Sequence, residues 1–185
     1  KGNFDDAQSG VKQIFSDSKY NEYLNEKGFK LSSANSINWG RLLPQIVYYF
    51  SAYADLVNDK KITMGDKVNF TVPTGNFGDI LAGFYAKCMG LPVNRLICAS
   101  NSNNVLTDFL KTGTYDRNRE FFKTISPSMD ILISSNLERL LYHITNDATK
   151  IKSYMEKLQS TGCYQVDEVT LKAIQETFSA GYLDD

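Results

Sequence analysis

Hydrophobic and polar positions alternate along this chain with two periods, one typical of strands and one typical of helices. Every second position is apolar in residues 67–72, which predicts a strand, and residues 95–99 predict another. Between them, residues 79–89 have helical spacing, and Gly90 and Pro92 end the helix. A strand, a helix and a second strand in this order form a βαβ unit with a parallel sheet.

Helical spacing covers much of the remaining chain. It predicts helices at residues 5–15, 39–57, 105–111, 137–144, 149–158 and 168–178. The helix at 39–57 is apolar on most faces, so we expect it to be well buried. Short apolar runs at 29–33 and 125–133 are read as further strands. The alternation predicts an α/β protein, a three-layer parallel sheet with flanking helices.

A charged stretch at residues 58–66, which contains Gly65, predicts a domain boundary. Residues 1–58 would end a first, smaller α/β domain that includes the buried helix, and residues 59–185 would form the core of a larger domain. The chain begins with Lys within what reads as ordered sequence. We therefore expect a fragment of a longer protein.

Charge and cysteine content narrow the class of protein. The net charge is −1 with no long run of one sign, which argues against a nucleic-acid partner or a membrane partner. Three scattered cysteines favour a reducing, cytoplasmic location, and Cys88 and Cys98 lie in apolar stretches typical of core thiols. With one His and no CxxC motif, the sequence predicts no metal site.

The clearest motif is PTGNFGD at residues 73–79, between a predicted strand and a predicted helix. Glycines at 75 and 78 let the backbone turn tightly and approach a ligand. Free N–H groups at the start of a helix favour an anion, above all a phosphate. The motif lacks the pattern of a Walker loop or of a dinucleotide fingerprint. A plain strand–helix turn is the alternative.

A second motif, SSANSINWGR at residues 32–41, collects hydroxyls, amides and one Arg before an apolar helix. A cation in the first turn of a helix is disfavoured unless an anion lies near, so Arg41 suits phosphate binding. A capping segment with a surface Arg is the alternative. In a third motif, residues 126–139, Ser135 or Asn136 is predicted to be a structural N-cap.

Together these motifs resemble the threonine synthase family over nearly the whole chain. The matching stretches include SANSINWGRLLPQ (33–45), VPTGNFGDILAGFYAKCMGL (72–91) and SPSMDILISSNLERLL (126–141). The resemblance implies the fold of pyridoxal-phosphate enzymes related to the tryptophan synthase β subunit. It implies that the cofactor phosphate is held by Gly75, Asn76, Phe77 and Gly78. It also implies that the substrate phosphate is held by Asn35, Ser36, Asn38 and Arg41.

The resemblance also implies an activity for the parent protein. Such a carbon–oxygen lyase converts O-phosphohomoserine and water to L-threonine and phosphate, by β,γ-elimination and replacement. The family's Schiff-base lysine lies in a Phe-Lys-Asp motif that this chain lacks, so we expect the lysine upstream and the isolated chain to be inactive. A phospholyase-like homologue and a non-catalytic phosphate-binding α/β module are the alternatives. Neither the motifs nor the resemblance predicts an oligomeric state.

Overall fold

The computed structural model of the protein describes residues 4–34 and 38–184. Within these residues, 3-10 turns occupy Leu43–Gln45 and Pro127–Met129. The α-helices are α1 (Phe4–Ser16), α2 (Ser18–Glu26), α3 (Trp39–Leu42), α4 (Ile46–Asn58), α5 (Gly78–Cys88), α6 (Val105–Thr112), α7 (Leu137–Thr145), α8 (Ala148–Thr161) and α9 (Glu168–Gln175). The strands are β1 (Val68–Pro73), β2 (Val93–Ser100), β3 (Thr114–Asp116), β4 (Cys163–Gln165) and β5 (Phe178–Tyr182).

Strands β1, β2 and β5 form a parallel sheet with β2 in the centre. Val72 pairs with Cys98, and Leu96 pairs with Phe178, so the carboxyl ends of the three strands lie at the same edge. In open parallel sheets, ligands bind at this edge. The predicted βαβ unit, β1–α5–β2, is confirmed, and the α/β class with it.

Helix α5 packs one face on the sheet and another on α4. Its apolar residues Ile80, Leu81 and Ala82 are fully buried, and each large one contributes about 1.5–3 kcal/mol through burial. A Cβ at Gly83 would lie 2.6 Å from the Tyr49 ring, so the glycine permits this close contact between the helices. The position of the α5 N-terminus is therefore fixed by packing.

The long helix predicted at 39–57 is interrupted. A 3-10 turn that contains Pro44 separates α3 from α4. Proline has no N–H for a helical hydrogen bond, so it interrupts the helix. Burial also differs from the expectation for this helix. Tyr49 and Tyr53 are buried, whereas Val47 and Tyr48 are 62% and 61% exposed. Helix α4 thus presents an apolar outer face as well as a buried inner face.

Both additional strands predicted from short apolar runs are wrong. Residues 29–33 are irregular, and residues 125–133 form a turn around Pro127, with Ile125 90% exposed. The last predicted helix ends early, at Gln175. Phe178 instead begins β5, because pairing with β2 outweighs local helical periodicity.

One buried core joins α4 to β1, β2 and α5. The domain division at residues 58 and 59 stays a prediction, although α4 packs on elements that follow it. The cysteines are free thiols, and Cys98 is buried as expected, but Cys88 is exposed because it lies at the end of α5. None of the helices in the described ranges has the length and apolar character needed to cross a membrane.

Candidate functional site

The candidate site lies where β1 ends and α5 begins. Residues 75–78, here called the glycine loop, connect the two elements. Thr74 anchors the start of this loop, since its N–H donates to Ala99 O at 2.9 Å and its hydroxyl donates to Val72 O at 2.6 Å. Phe77 is the N-cap of α5 and has a left-handed backbone with φ +63°. A non-glycine residue in this region is strained by about 1–2 kcal/mol, so surrounding contacts must hold the loop.

The backbone N–H groups of the glycine loop have no acceptor in the part of the chain that the structure describes. This holds for Gly75, Asn76, Phe77 and Gly78. A cavity of about 200 Å³ lies beside them, lined also by Gln45 and Ser128. Free donors at a helix N-terminus favour an anion through both hydrogen bonds and the helix dipole. The cavity is smaller than the roughly 300–1,000 Å³ of typical ligand pockets, so it suits part of a ligand, such as a phosphoryl group.

Two residues of the loop act through the backbone alone. A Cβ at Gly75 would lie 2.5 Å from Ser128 O, so only glycine lets these two chain segments approach so closely. The Phe77 side chain is 1% exposed, and its ring lies 5.6 Å from the ring of Phe178. A ligand can therefore meet the N–H of Phe77 but not its ring.

A second segment, residues 134–136, holds the glycine loop from the side opposite the N–H groups that lie beside the cavity. Ser134 Oγ donates to Gly75 O at 3.0 Å, and the Asn136 amide and backbone N–H both donate to Asn76 O. Tyr115 fixes this segment in turn, since its hydroxyl accepts the N–H of Ser134 at 2.8 Å. The sequence predicts only an N-cap here. The motif gave no signal that its side chains reach back to residues 59 or 60 positions earlier.

Asp79 lies at the rim of the same cavity, in the first turn of α5. The Tyr49 hydroxyl donates to Asp79 O at 2.8 Å and approaches Asp79 Oδ1 at 3.3 Å. Burial raises the pKa of Asp79, and the hydrogen bond from Tyr49 offsets part of the rise. Burial, together with the nearby carboxyl, raises the pKa of Tyr49. The pair therefore joins α4 to the start of α5 with the tyrosine neutral.

A buried polar cluster lies at the carboxyl end of β2. Asp130 accepts hydrogen bonds from Asn101 Nδ2 at 2.8 Å, Asn103 Nδ2 at 3.1 Å and the Thr124 N–H at 2.9 Å. Burial by itself raises the pKa of Asp130, but these hydrogen bonds outweigh it and hold that pKa below its ordinary value. Because its donors and acceptors bond to one another, the cluster shapes the loops beside the site rather than offering free groups.

The predicted substrate segment is described only in part. Asn35 and Ser36 lie outside the described residues. Asn38 caps α3, since its Oδ1 accepts from Gly40 N at 2.9 Å, and its Nδ2 donates to Ser33 O at 2.8 Å. Arg41 is exposed, and among the described residues no carboxylate pairs with its guanidinium. Arg41 therefore remains available to an anion, whereas the Asn38 side chain is used locally.

Gln45 connects the two predicted segments. It follows Arg41 by one helical turn and lines the cavity of the glycine loop. Its Oε1 is buried and has no hydrogen-bond partner in the described ranges. A buried polar atom without a partner costs about 1–3 kcal/mol, a cost typical of a binding site rather than of a core. The loop donors and the glycine at 75 together fit a phosphate-bearing group. Gln45 Oε1 is an acceptor, so it fits a donor group of a ligand rather than a phosphate oxygen.

The lysine required for covalent attachment of pyridoxal phosphate is not at this cavity. Among the described residues, no lysine lines it. Burial lowers the pKa of Lys87, which bonds to Thr177 Oγ1 at 3.1 Å. However, Lys87 is nine residues along α5 from Gly78, roughly 14 Å along the helix axis. Among the described residues, this cavity therefore offers backbone donors suited to a phosphate but no lysine for covalent attachment.

Comparisons with known proteins give close relatives. A scan against models of protein families finds no match. Human threonine synthase-like 1 is 50% identical over 185 residues, covering 98% of this chain and 25% of the relative. Threonine synthase of Saccharomyces cerevisiae is 40% identical over 189 residues, covering 97% of this chain and 35% of the relative. This chain thus spans between about a quarter and a third of the length of these relatives.

Solved structures give the same relationship. The chain is similar to the pyridoxal-phosphate-bound threonine synthase from Brucella melitensis, with a TM-score of 0.84 and 46% identity. The match covers all of this chain and 38% of that one. This chain and that threonine synthase are therefore similar in both fold and sequence over the same residues.

Proposed function

Because this chain belongs over its whole length to the threonine synthase family, we propose that it is the central segment of an enzyme that converts O-phosphohomoserine and water to L-threonine and phosphate. The observation that carries the proposal is the glycine loop, whose four N–H groups have no acceptor among the described residues and lie beside a cavity of about 200 Å³. The free cysteines support a cytoplasmic location for the enzyme.

The glycine loop would hold the phosphate of pyridoxal phosphate. When bound, this cofactor supplies an electron sink for bonds to the substrate's carbon atoms. The chain's own contribution is positional. N–H groups of residues 75–78 would bind the phosphoryl oxygens, Gly75 would keep the loop close to Ser128, and α5 would add its positive N-terminal dipole.

Arg41 would bind the phosphate of the substrate. No acidic residue occurs from residue 32 to residue 47, and the exposed guanidinium has no carboxylate partner among the described residues. A guanidinium forms two parallel hydrogen bonds to a phosphate, each worth about 1.5–3 kcal/mol. Because Gln45 lies one turn further along at the cofactor cavity, the two phosphate groups would lie near each other.

A phospholyase-like homologue, which releases phosphate without forming threonine, is the second candidate. Identity to human threonine synthase-like 1 is 50%, against 40% to the yeast threonine synthase. The two functions differ in one product. Incubation of the full-length protein with pyridoxal phosphate and O-phosphohomoserine should release phosphate and threonine in equal amounts. Phosphate without threonine would support the second candidate.

Replacing Arg41 with Leu tests the role of this residue. In the full-length protein we expect KM for O-phosphohomoserine to rise about tenfold or more, since a charge-assisted contact is lost. The affinity for pyridoxal phosphate should be unchanged, because the glycine loop binds that phosphate separately. Lys157→Leu on α8 removes the same charge from an exposed position away from the cavity and should leave KM unchanged. Loss of cofactor binding with an unchanged KM would exchange the two assignments.

A further inference from the structure

Asn136 occupies the N-cap position of α7 but does not cap that helix. Its side chain is fully buried, and Nδ2 donates to Asn76 O at 2.9 Å. The backbone N–H of Asn136 donates to the same oxygen at 3.1 Å. Two donors of one residue therefore hold a single carbonyl of the glycine loop.

Arg139 sets the orientation of the Asn136 amide. Its Nη1 donates to Asn136 Oδ1 at 2.6 Å. A guanidinium has donors and no acceptor, so the amide must turn its oxygen towards Arg139 and its nitrogen towards Asn76. The hydrogen-bond network thus determines which end of the Asn136 amide is oxygen and which is nitrogen. This orientation depends on Arg139, which lies in the first turn of α7.

Peptide geometry transmits this contact to the anion site. The carbonyl of Asn76 and the N–H of Phe77 belong to one planar trans peptide and point in opposite directions. With Asn76 O held by Asn136, the N–H of Phe77 faces away from Asn136, and no described residue accepts it. The same contact holds the peptide that precedes the left-handed Phe77.

We propose that Asn136, oriented by Arg139, is the positioning residue that keeps the glycine loop in its phosphate-binding conformation. The inference rests on the proposed function, because it assigns a role at the same site. Asn136 does not line the cavity of the glycine loop. It acts through Asn76, so its loss should weaken cofactor binding by more than its effect on folding explains.

Asn104 provides a matched control within the same chain. It is the N-cap of α6, makes no side-chain capping bond, and accepts a hydrogen bond from Arg119 Nη1 at 2.9 Å. Among the described residues its amide makes no bond to the glycine loop. An Asn→Asp change keeps the shape of either side chain and removes the two amide donors.

The experiment measures the dissociation constant for pyridoxal phosphate in the full-length protein by fluorescence titration, and thermal unfolding without cofactor. Asn136→Asp and the uncharged Asn136→Ala should each weaken cofactor binding about tenfold or more. Asn104→Asp should change it less than about twofold. Cofactor binding by both Asn136 variants within about twofold of the unsubstituted protein would overturn the inference.

Arg139 gives an independent variant if the Asn136 variants do not fold. Arg139→Met keeps the aliphatic part of the side chain and should weaken cofactor binding about threefold or more, whereas Arg139→Lys, which keeps a donor, should recover part of that loss. No effect of Arg139→Met would overturn the inference. If the unsubstituted protein does not bind pyridoxal phosphate, the proposed function itself fails and the role of Asn136 falls with it.

Discussion

Gly75 and Phe77 meet different requirements within three residues of the glycine loop. Gly75 is needed because Ser128 O occupies the space of a side chain, whereas Phe77 adopts a left-handed backbone despite its large ring. Sequence reasoning can anticipate the first, since glycine commonly marks close backbone approach. It cannot anticipate the second, because aromatic residues seldom have positive φ, and here the buried packing of the ring and the hydrogen bonds of Asn136 to Asn76 O hold this conformation.

At the residue scale, Asp130 should make stability depend on acid. Its pKa in the folded protein lies below its ordinary value, since hydrogen bonds from Thr124, Asn101 and Asn103 outweigh the effect of burial. A depressed carboxyl pKa gives stability that is present above the unfolded value, near 3.9, and is lost as pH falls through the folded value. Asn cannot accept from all of these donors, so Asp130→Asn should cost about 2 kcal/mol or more at pH 7.

Urea unfolding at pH 7 and at several values from about pH 4 down to about pH 2 measures this effect of Asp130. The difference in unfolding free energy between the unsubstituted protein and Asp130→Asn should shrink as pH falls below about 4, because the carboxyl is protonated first in the unfolded state and then, at lower pH, in the folded state. A difference that stays constant over this range would show that the negative charge of Asp130 does not stabilise the fold.

At the element scale, sequence periodicity predicts the βαβ unit well and fails where distant contacts decide. The positions of β1, α5 and β2 follow from alternation, helical spacing and the stop at Gly90. Strand β5 is missed because Phe178 continues a helical pattern and becomes a strand through pairing with Leu96. The same limit applies to the site, since the loop motif is local but its contacts with Ser134 and Asn136 are not.

Two aspartate N-caps, one on a helix packed against the core and one on an exposed helix, test whether helix packing determines how much a cap contributes to the free energy of unfolding. Asp167 accepts the N–H of Thr170 at the start of α9, which buries Ile174, and it pairs with Lys150. Asp17 accepts the N–H of Tyr20 at the start of α2, which buries no residue. Asp167→Ala should lower the unfolding free energy by about 1–2 kcal/mol, whereas Asp17→Ala should change it by less than about 0.5 kcal/mol.

Chemical denaturation followed by tryptophan fluorescence and circular dichroism measures both cap variants. Equal losses for Asp167→Ala and Asp17→Ala would mean that local capping, and not attachment of the helix to the core, sets the contribution.

At the scale of the whole molecule, the described residues contain the glycine loop, and no lysine among them lines its cavity. Borohydride reduction after incubation with pyridoxal phosphate, followed by peptide mapping, should therefore label one lysine of the full-length protein outside these 185 residues. The isolated chain should show no stoichiometric label. Labelling of a single lysine within it, Lys87 included, would contradict both the resemblance and the geometry of the cavity.

The parallel pairing of β2 with β5 has a consequence for synthesis on the ribosome. Leu96 pairs with Phe178, so about 80 further residues must be synthesised after β2 before its second neighbouring strand, β5, exists. At roughly 5–20 residues per second, this delay lasts roughly 4–16 s. During that interval one side of the central strand is open to other chains, and its apolar residues are a ready substrate for chaperones.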